Sequence, residues 1–288
     1  MNKIGIFYAY WTHDWNADFH PYIDKVADLG FDILEVNAGT IGVMTSQERR
    51  RLKDHANRRG ITLSYCVGLT ADNDVASEDQ TTRKRGKKVL RDMIEGIGEM
   101  GGGPLGGITY SSWPATLPQG ADKEVIVNRS IESMKETAKI AVDNNVTMML
   151  EVVNRFEQYI MNNCDEALDY VERVNSPNVK IMLDTFHMNI EEDTIGVAIK
   201  KAGNQLGHLH IGENNRRPPG YGHIPWDELV SALKEIGYQG YIVMEPFLMP
   251  GGEVGRDIKV FRDLSMGRDL DAEAAKAVRF MRGKLDAV

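Results

Sequence analysis

The sequence has few cysteines, no long apolar run and no excess of basic residues, and each shortage argues against a class of protein. Its 288 residues include only two cysteines, Cys66 and Cys164, which are far apart and in no metal-binding spacing. This disfavours a disulfide framework and predicts the reducing environment of the cytoplasm. No apolar stretch approaches the roughly 20 residues that span a bilayer, so we expect no membrane partner.

The charge balance favours a small ligand over a nucleic acid. Lysine and arginine total 34 against 42 aspartates and glutamates, which gives a net charge of −8. Nucleic-acid-binding proteins usually carry a basic face, so we expect no nucleic-acid partner and interpret the basic cluster at 49–59 as the solvated side of a helix. The N-terminus has a short apolar run but no small-residue cleavage site, and a first strand explains it better than a signal peptide.

Apolar strand-type runs alternate with helical patterns along the chain. Strand cores such as I-M-L at 181–183 are continuously apolar, as expected for strands covered on both faces. Glycines such as Gly30 and Gly60 mark helix ends. The predicted strands are 3–10, 32–37, 62–68, 104–111, 147–153, 179–185, 206–212 and 240–247. The predicted helices lie near 17–29, 45–59, 77–100, 122–144, 164–174, 194–202, 226–236 and 271–284.

Eight strand–helix units of roughly 35 residues each predict a (β/α)8 TIM barrel. A doubly wound parallel sheet is the alternative architecture. No linker, low-complexity segment or change of composition divides the chain, so we expect one α/β catalytic domain over residues 1–288.

Four of the later strands each bring a charged or imidazole side chain to the C-terminal end, where TIM-barrel enzymes hold their catalytic groups. Glu151, Asp184 and Glu245 follow apolar runs in strands five, six and eight. Strand seven carries His208 and His210, two positions apart and therefore on one face. We predict that His210 is the ligand, because it is nearer the C-terminal end of the strand. His208 would lie in a deeper layer of the barrel interior or would contact the ligands rather than the metal.

Three carboxylates and one imidazole suit a divalent cation such as manganese, magnesium or cobalt better than a structural zinc. Glu35, near the end of the second strand, competes for a ligand role and would otherwise brace a neighbouring loop. The alternative to a metal is a set of ion pairs between these acids and Arg155, Arg216 and Arg217.

Other catalytic signatures are weak. Two G-x-G-x-x-G matches, at 96–101 and 101–106, follow a helix rather than a strand, so we interpret them as a helix-to-strand turn and not as a dinucleotide site. Ser111 and Ser112 have no base at a diagnostic spacing. Cys66 could line a cavity, but as a nucleophile it lacks a predictable partner.

Several long motifs, in the right order, resemble the ketose 3-epimerases, the family of D-tagatose 3-epimerase and D-psicose (D-allulose) 3-epimerase. The resemblance covers nearly the whole chain. It is carried by E-V-V-N-R-F-E at 151–157, M-L-D-T-F-H-M-N-I-E-E at 182–192, G-H-L-H-I-G-E-N-N-R at 207–216, M-E-P-F at 244–247 and D-I-K-V-F-R-D at 257–263. It implies a xylose-isomerase-like barrel that epimerises free ketohexoses at C3, as a homodimer or homotetramer, with Mn²⁺ or Co²⁺ and with Mg²⁺ as a further option.

The resemblance also implies residue roles. The family's four metal ligands fall on Glu151, Asp184, His210 and Glu245, and the two glutamates would exchange acid and base roles through a metal-stabilised cis-enediolate. The positions that contact substrate in the family fall on Glu157, His187, Arg216, Trp15, Trp113, Phe7, Cys66 and Ile108. Phenylalanine at 7 and cysteine at 66 look more like the D-tagatose 3-epimerases, which leaves the preferred ketose open.

Two other functions remain open. An aldose–ketose or hydroxypyruvate-type isomerase on the same barrel would need only one base, and its second glutamate would be only a ligand. A barrel that binds a sugar without catalysis is the non-enzymatic alternative. A nuclease of the endonuclease IV type is disfavoured, because it needs more histidine ligands and a basic groove.

Overall fold

The computed structural model describes residues 2–287 and contains eight strands. They are β1 (Ile4–Phe7), β2 (Ile33–Asn37), β3 (Thr62–Leu69), β4 (Gly103–Ser112), β5 (Val146–Glu151), β6 (Val179–Asp184), β7 (Leu206–Ile211) and β8 (Tyr241–Met244). Each strand pairs in parallel with the next, and β8 pairs with β1, so the sheet closes into a barrel without a free edge. The predicted (β/α)8 barrel is confirmed, and the doubly wound sheet is wrong.

Eleven α-helices occur among residues 2–287, and eight of them match the predicted helices. They are α1 (His20–Leu29), α2 (Ala38–Val43), α3 (Ser46–Arg59), α4 (Gln80–Glu99), α5 (Lys123–Asp143), α6 (Cys164–Val174), α7 (Thr185–Glu191), α8 (Ile195–Ala202), α9 (Trp226–Glu235), α10 (Gly252–Asp257) and α11 (Leu270–Asp286). The three additional helices, α2, α7 and α10, are short and follow β2, β6 and β8. In this part of the chain, none of the helices has the length and apolar character needed to cross a bilayer.

Local sequence explains where the outer helices begin and end. A capping box starts α3, in which the Thr45 side chain accepts a hydrogen bond from the Glu48 amide and the Glu48 carboxylate accepts one from the Thr45 amide. Helices α1 and α3 end at Gly30 and Gly60, whose φ angles of 88° and 69° are left-handed. Glycine adopts this conformation without the steric penalty that other residues meet, which confirms the predicted helix ends.

Five strands end earlier than predicted, and the difference is largest for β1 and β8. The first strand stops at Phe7, and Tyr8–Trp11 form a 3₁₀ turn in place of its expected last residues. The last strand stops at Met244, so Glu245 lies one residue beyond it. The Glu245 amide still donates to the carbonyl of Ile211 at 2.9 Å, which keeps this residue at the end of the sheet.

The barrel interior combines apolar packing with a few buried charged side chains. All residues of β1 are buried, and so are five of the six residues in each of β5, β6 and β7. Their apolar side chains belong to one continuous core that also includes the inner faces of the helices. Buried charges are costly unless other groups compensate them, so the charged side chains on these strands indicate a candidate functional site.

Candidate active site

Four side chains with metal-binding atoms meet at the C-terminal ends of consecutive strands. Glu151 is the last residue of β5, Asp184 is the last residue of β6, and Glu245 directly follows β8. His210 lies next to the last residue of β7 and pairs in register with Asp184. One ligand atom from each residue lies within 4.8 Å of the others. The structure therefore brings the four predicted ligands together in one group, called here the ligand cluster.

The ligand cluster concentrates negative charge in a buried place. Glu151 is 3% exposed and Asp184 is 1% exposed. Burial, and after it the neighbouring Glu245 carboxylate, raises the pKa of Glu151 well above its ordinary value. Arg216 offsets part of the charge, because its Nη1 lies 3.2 Å from Glu245 Oε2 and 3.4 Å from Asp184 Oδ2.

The donor atoms of the ligand cluster fit a divalent cation. The His210 ring is fully buried, and its Nδ1 makes no hydrogen bond. This nitrogen lies 3.5 Å from Glu245 Oε1 and 3.7 Å from Glu151 Oε1. Buried polar atoms normally have partners, and a metal ion would supply one to all three atoms at once. Carboxylates combined with one imidazole suit ions of intermediate hardness.

Ion pairs with arginine, the predicted alternative to a metal, explain the site only in part. Arg216 reaches the ligand cluster, as described above. Arg155 instead pairs with Glu191 at 2.6 Å, and the Arg217 guanidinium stacks over Tyr221 at 4.5 Å. Arginine pairing therefore leaves the buried Nδ1 of His210 unexplained.

Glu35 lies next to the ligand cluster and contacts both histidines of β7. Its Oε1 accepts a hydrogen bond from His210 Nε2, and its Oε2 lies 3.1 Å from His208 Nε2. Burial alone would raise the pKa of Glu35, but His210 and His208 outweigh it and lower that pKa well below its ordinary value. The expectation that Glu35 braces a loop is wrong, because its partners lie inside the barrel. Glu35, His210 and Cys66 also bring ligand atoms within 4.8 Å of one another. In this second group, however, Glu35 Oε1 already accepts the hydrogen bond from the His210 ring.

A cavity of about 340 Å³ opens beside the ligand cluster. Its size is in the range of small-molecule sites. Ten of the twelve predicted site residues line it, while Asp184 and His210 complete the ligand cluster next to it. The ten are Phe7, Trp15, Cys66, Ile108, Trp113, Glu151, Glu157, His187, Arg216 and Glu245.

The residues that line the cavity fall into two groups, one from the first four strands and one from the last four. Phe7 in β1, Cys66 in β3 and Ile108 in β4 line one side, together with Trp15 after β1 and Trp113 after β4. We call this side the apolar half. The ligand cluster and the polar residues around it come from β5 to β8 and the segments that follow them, which we call the charged half.

Asn154, to which the sequence analysis assigned no role, connects two of the predicted substrate-binding residues. Its side-chain amide donates to Glu157 Oε1 at 3.1 Å, and its backbone amide donates to His187 Nδ1 at 3.2 Å. The other Glu157 oxygen accepts from Trp113 Nε1 at 2.9 Å. The only signal in the sequence is the position of Asn154, three residues before Glu157 in the segment after β5.

Burial lowers the pKa of His187, which favours the neutral form of its ring. Because Nδ1 accepts a hydrogen bond from Asn154, the proton of the neutral ring lies on Nε2, which is 3.5 Å from the Arg216 guanidinium and 3.8 Å from Asp184 Oδ2. Burial alone would raise the pKa of the Glu157 carboxyl, but His187 and Arg216 outweigh it and lower that pKa. His187 and Glu157 therefore offer one hydrogen-bond donor and one carboxylate at the cavity.

Arg216 is held by aromatic rings and by a tight turn. Its guanidinium stacks 3.8 Å above the Phe186 ring and 5.4 Å from the centre of Phe247, two contacts that the sequence did not indicate. Its φ angle is 62°, and its amide donates to the carbonyl of Glu213 at 3.0 Å. The buried Glu213 carboxylate in turn accepts from the side chain of Trp226 at 2.9 Å, which anchors the turn to α9.

Comparisons with known proteins identify the family of the chain. A sequence model described as the xylose isomerase-like TIM barrel matches residues 23–282. The chain is 47% identical over 287 residues to a D-psicose 3-epimerase of Ruminiclostridium cellulolyticum, covering 99% of this chain and 98% of that protein. It is 43% identical over 283 residues to a D-psicose 3-epimerase of Agrobacterium fabrum, with coverage of 97% and 98%.

Solved structures give the same result. A crystal structure of D-psicose 3-epimerase with D-tagatose, from Clostridium cellulolyticum H10, matches with a TM-score of 0.96 and 48% identity. The match covers 98% of this chain and 99% of that one. The chain therefore belongs to the xylose isomerase-like TIM barrel family and, within it, to the ketose 3-epimerases.

Proposed function

We propose that the protein interconverts free ketohexoses by inverting C3, with D-fructose and D-psicose as the first pair to test and D-tagatose and D-sorbose as the second. The observation that carries the proposal is the presence of two glutamates, Glu151 and Glu245, at one small cavity. The names of relatives at 47% and 43% identity support the choice of D-psicose. The D-tagatose in the related crystal structure supports testing the second pair.

The proposal includes a divalent metal, Mn²⁺ or Co²⁺, with Mg²⁺ as a further option. Glu151, Asp184, His210 and Glu245 would hold it, because they form the only group of described residues that combines three carboxylates with an imidazole at this cavity. When bound, such an ion supplies Lewis-acid stabilisation of the negative charge that develops on the oxygens next to C3.

Inversion at C3 requires that one proton leaves the carbon and another arrives on its opposite face. Glu151 is the last residue of β5 and Glu245 directly follows β8. Since β6 and β7 lie between these two strands in the barrel, the two carboxylates approach the cavity from different directions. One carboxylate takes the C3 proton, and the other carboxyl group gives its proton to the opposite face. The roles exchange in the reverse reaction, and the sugar is neither oxidised nor reduced.

Neighbouring side chains would orient the sugar. His187 donates through Nε2 and Arg216 through its guanidinium to the oxygens of C1 and C2, where both donors strengthen as negative charge develops. Glu157 orients the C1 end. Trp15 and Trp113 pack against carbons 4 to 6, since an aromatic face suits the C–H side of a sugar.

The experiment is incubation of the metal-loaded enzyme with each ketose in D₂O. We expect solvent deuterium at C3 of the product and also at C3 of recovered substrate, because both glutamates exchange protons with solvent. Deuterium at C1 with an aldose product would show an isomerase instead. Transfer without any deuterium would indicate hydride transfer, and either result would overturn the proposal.

Single variants test the two-base scheme more sharply. In Glu151→Gln and Glu245→Gln we expect turnover to fall by about 10²- to 10⁴-fold, the usual contribution of a general acid or base. Each variant should still exchange the C3 hydrogen of one epimer, the one whose base is intact, and the two variants should choose opposite epimers. The metal content of each variant is measured in parallel. Near-normal turnover in either variant with metal bound would contradict the scheme.

We also propose that residues 1–288 form one catalytic domain and that this domain acts as a homodimer or homotetramer. Phe156 and Phe261 support self-association, because they are 70% and 81% exposed and line one surface groove. Light scattering of the purified chain should give at least twice its mass of 32.3 kDa. A monomer at micromolar concentration would contradict this proposal.

A further inference from the structure

Glu35 is buried next to the ligand cluster, but the proposed reaction gives it no role. It belongs to β2, and it precedes His210 by 175 positions in the sequence. The side chains of Glu35, His208 and His210 are all at most 1% exposed. An ionisable group this deeply buried needs partners, and the two histidines of β7 are the partners it has.

The geometry of the His210 ring explains what Glu35 does there. The Nε2 side of the ring is bonded to Glu35, while the Nδ1 side faces the carboxylates of Glu151 and Glu245. A carboxylate accepts hydrogen bonds and cannot donate them, so the contact places a proton on Nε2. The neutral ring then presents a lone pair at Nδ1, toward the ligand cluster.

We infer that Glu35 is a positioning residue, which fixes the rotation and the tautomer of His210 so that Nδ1 is directed at the metal. This inference rests on the proposed function, because it assumes that the ligand cluster binds a divalent ion. A carboxylate or carbonyl behind a metal-bound histidine is a common arrangement in metalloenzymes, and its loss weakens metal binding about 10- to 100-fold.

His208 holds Glu35 in the same arrangement. Its Nε2 lies 3.1 Å from the second Glu35 oxygen, and its ring meets the His210 ring edge-on at 5.3 Å. It also contacts the Tyr241 ring, with 6.3 Å between ring centres. The contacts from His208 through Glu35 to His210 therefore connect β7 to β2 inside the barrel.

The test is titration of the metal-free full-length protein with Mn²⁺, followed by electron paramagnetic resonance and calorimetry. We expect Glu35→Ala to weaken Mn²⁺ binding by about 10- to 100-fold. Glu35→Gln should lose less, because its amide oxygen still accepts from Nε2. The Mn²⁺ concentration for half-maximal activity should rise by the same factor in each variant, while the KM for the ketose stays the same.

Ser64→Ala provides the matched control. Ser64 is fully buried, pairs in register with Glu35 on the next strand, and its hydroxyl makes no hydrogen bond. Its removal perturbs the same region of the barrel without removing a carboxylate, so we expect unchanged Mn²⁺ affinity. If Glu35→Ala does not fold, the comparison of Glu35→Gln with Ser64→Ala decides the question.

Each other outcome overturns a distinct statement. Wild-type Mn²⁺ affinity in both Glu35 variants, even with lowered thermal stability, would show a purely structural role. A second Mn²⁺ per chain that Cys66→Ser removes would make Glu35 a ligand of a separate site with Cys66 and His210, and would also overturn the inference. Failure of the wild-type protein to bind Mn²⁺ would overturn the proposed metal dependence, and this inference with it.

Discussion

At the scale of single residues, the charged side chains of the cavity are held in fixed directions by neighbouring side chains. Arg216 is the clearest case, because its guanidinium is stacked on Phe186 while Nη1 points at Asp184 and Glu245. Burial opposes its positive charge, yet the surrounding carboxylates, led by Asp184, raise the pKa of Arg216 further. The side chain is therefore a permanent cation with a fixed orientation.

Arg216→Lys should separate charge from orientation. Lysine keeps the positive charge but has neither the planar fork nor the stacking surface of arginine. We expect kcat/KM to fall roughly 10- to 100-fold, which corresponds to the loss of one hydrogen bond to a charged group. Steady-state kinetics on the preferred ketose measures this.

The control for that variant is Arg59→Lys, since Arg59 is 38% exposed and pairs at the surface with Asp28, which is 73% exposed. Exposed ion pairs contribute little, so its kinetics should match those of the wild type. Equal losses in both variants would mean that Arg216 acts only through its charge or through general stability.

At the scale of elements, close packing between β3 and β4 depends on a residue without a side chain. Gly107 in β4 has a φ angle of 98°, and a β-carbon there would lie 2.2 Å from the carbonyl oxygen of Val67. The neighbouring strand cannot move away, because it is paired on both sides in the closed barrel. Glycine is therefore required at this position.

Gly107→Ala should lower the free energy of unfolding by about 2 kcal/mol or more, from backbone strain and overlap. Gly283→Ala is the control, because a β-carbon at this position of α11 would meet no atom within 4 Å. Replacing a helical glycine by alanine should stabilise the protein by about 0.5–1 kcal/mol. Thermal denaturation of both variants measures the difference, and a Gly107→Ala variant as stable as the wild type would contradict the packing argument.

Elements that follow local periodicity could be predicted, and those that depend on tertiary contacts could not. The eight long helices and the eight strands follow from apolar patterns and from glycines such as Gly30 and Gly60. Helix α7 was missed because it begins directly at a strand end, where Asp184 serves at once as candidate ligand and as cap, accepting from the Phe186 amide at 2.7 Å. The contact between Glu35 and His210 joins two distant strands, and no local pattern contains that information.

The same distinction holds for the site. Residues at strand ends, such as Glu151 and Asp184, could be found because a parallel barrel gathers the ends of its strands in one place. The roles of Asn154 and Phe247 could not be found, because they depend on the directions in which segments leave the barrel. The resemblance to the ketose 3-epimerases supplied Glu157 and His187, which strand-end reasoning alone did not identify.

At the scale of the whole molecule, burial of the ligand cluster lowers the free energy of unfolding unless a metal ion is bound. The pKa of Glu151 is raised by burial and by Glu245, so the native state favours the protonated form of this carboxyl. Such a group contributes full stability below its pKa in the unfolded chain, and the contribution is lost as pH rises through the native pKa. The metal-free protein should therefore gain from removal of this charge.

Glu151→Gln should melt at the same temperature as the wild-type protein or higher when both are metal-free at neutral pH. With Mn²⁺ at about 100 times its Kd, the wild type should gain about 2.7 kcal/mol, a rise in Tm of roughly 4–5 °C. The variant should gain much less, because it has lost a ligand. Differential scanning calorimetry with and without chelator measures both effects, and an equal Mn²⁺ response in both proteins would show that Glu151 is not a ligand.

The separation of the cavity into an apolar half and a charged half has a consequence for evolution. The side chains of the apolar half, including Phe7, Cys66 and Ile108, precede residue 114, whereas the groups that would move protons all follow residue 150. Substrate range can drift through changes in the first half of the gene while selection preserves the chemistry encoded in the second. Sequencing of laboratory populations selected on an unfamiliar ketose should find adaptive changes concentrated before residue 114. An equal spread of changes over both halves would show that recognition and chemistry are inherited together.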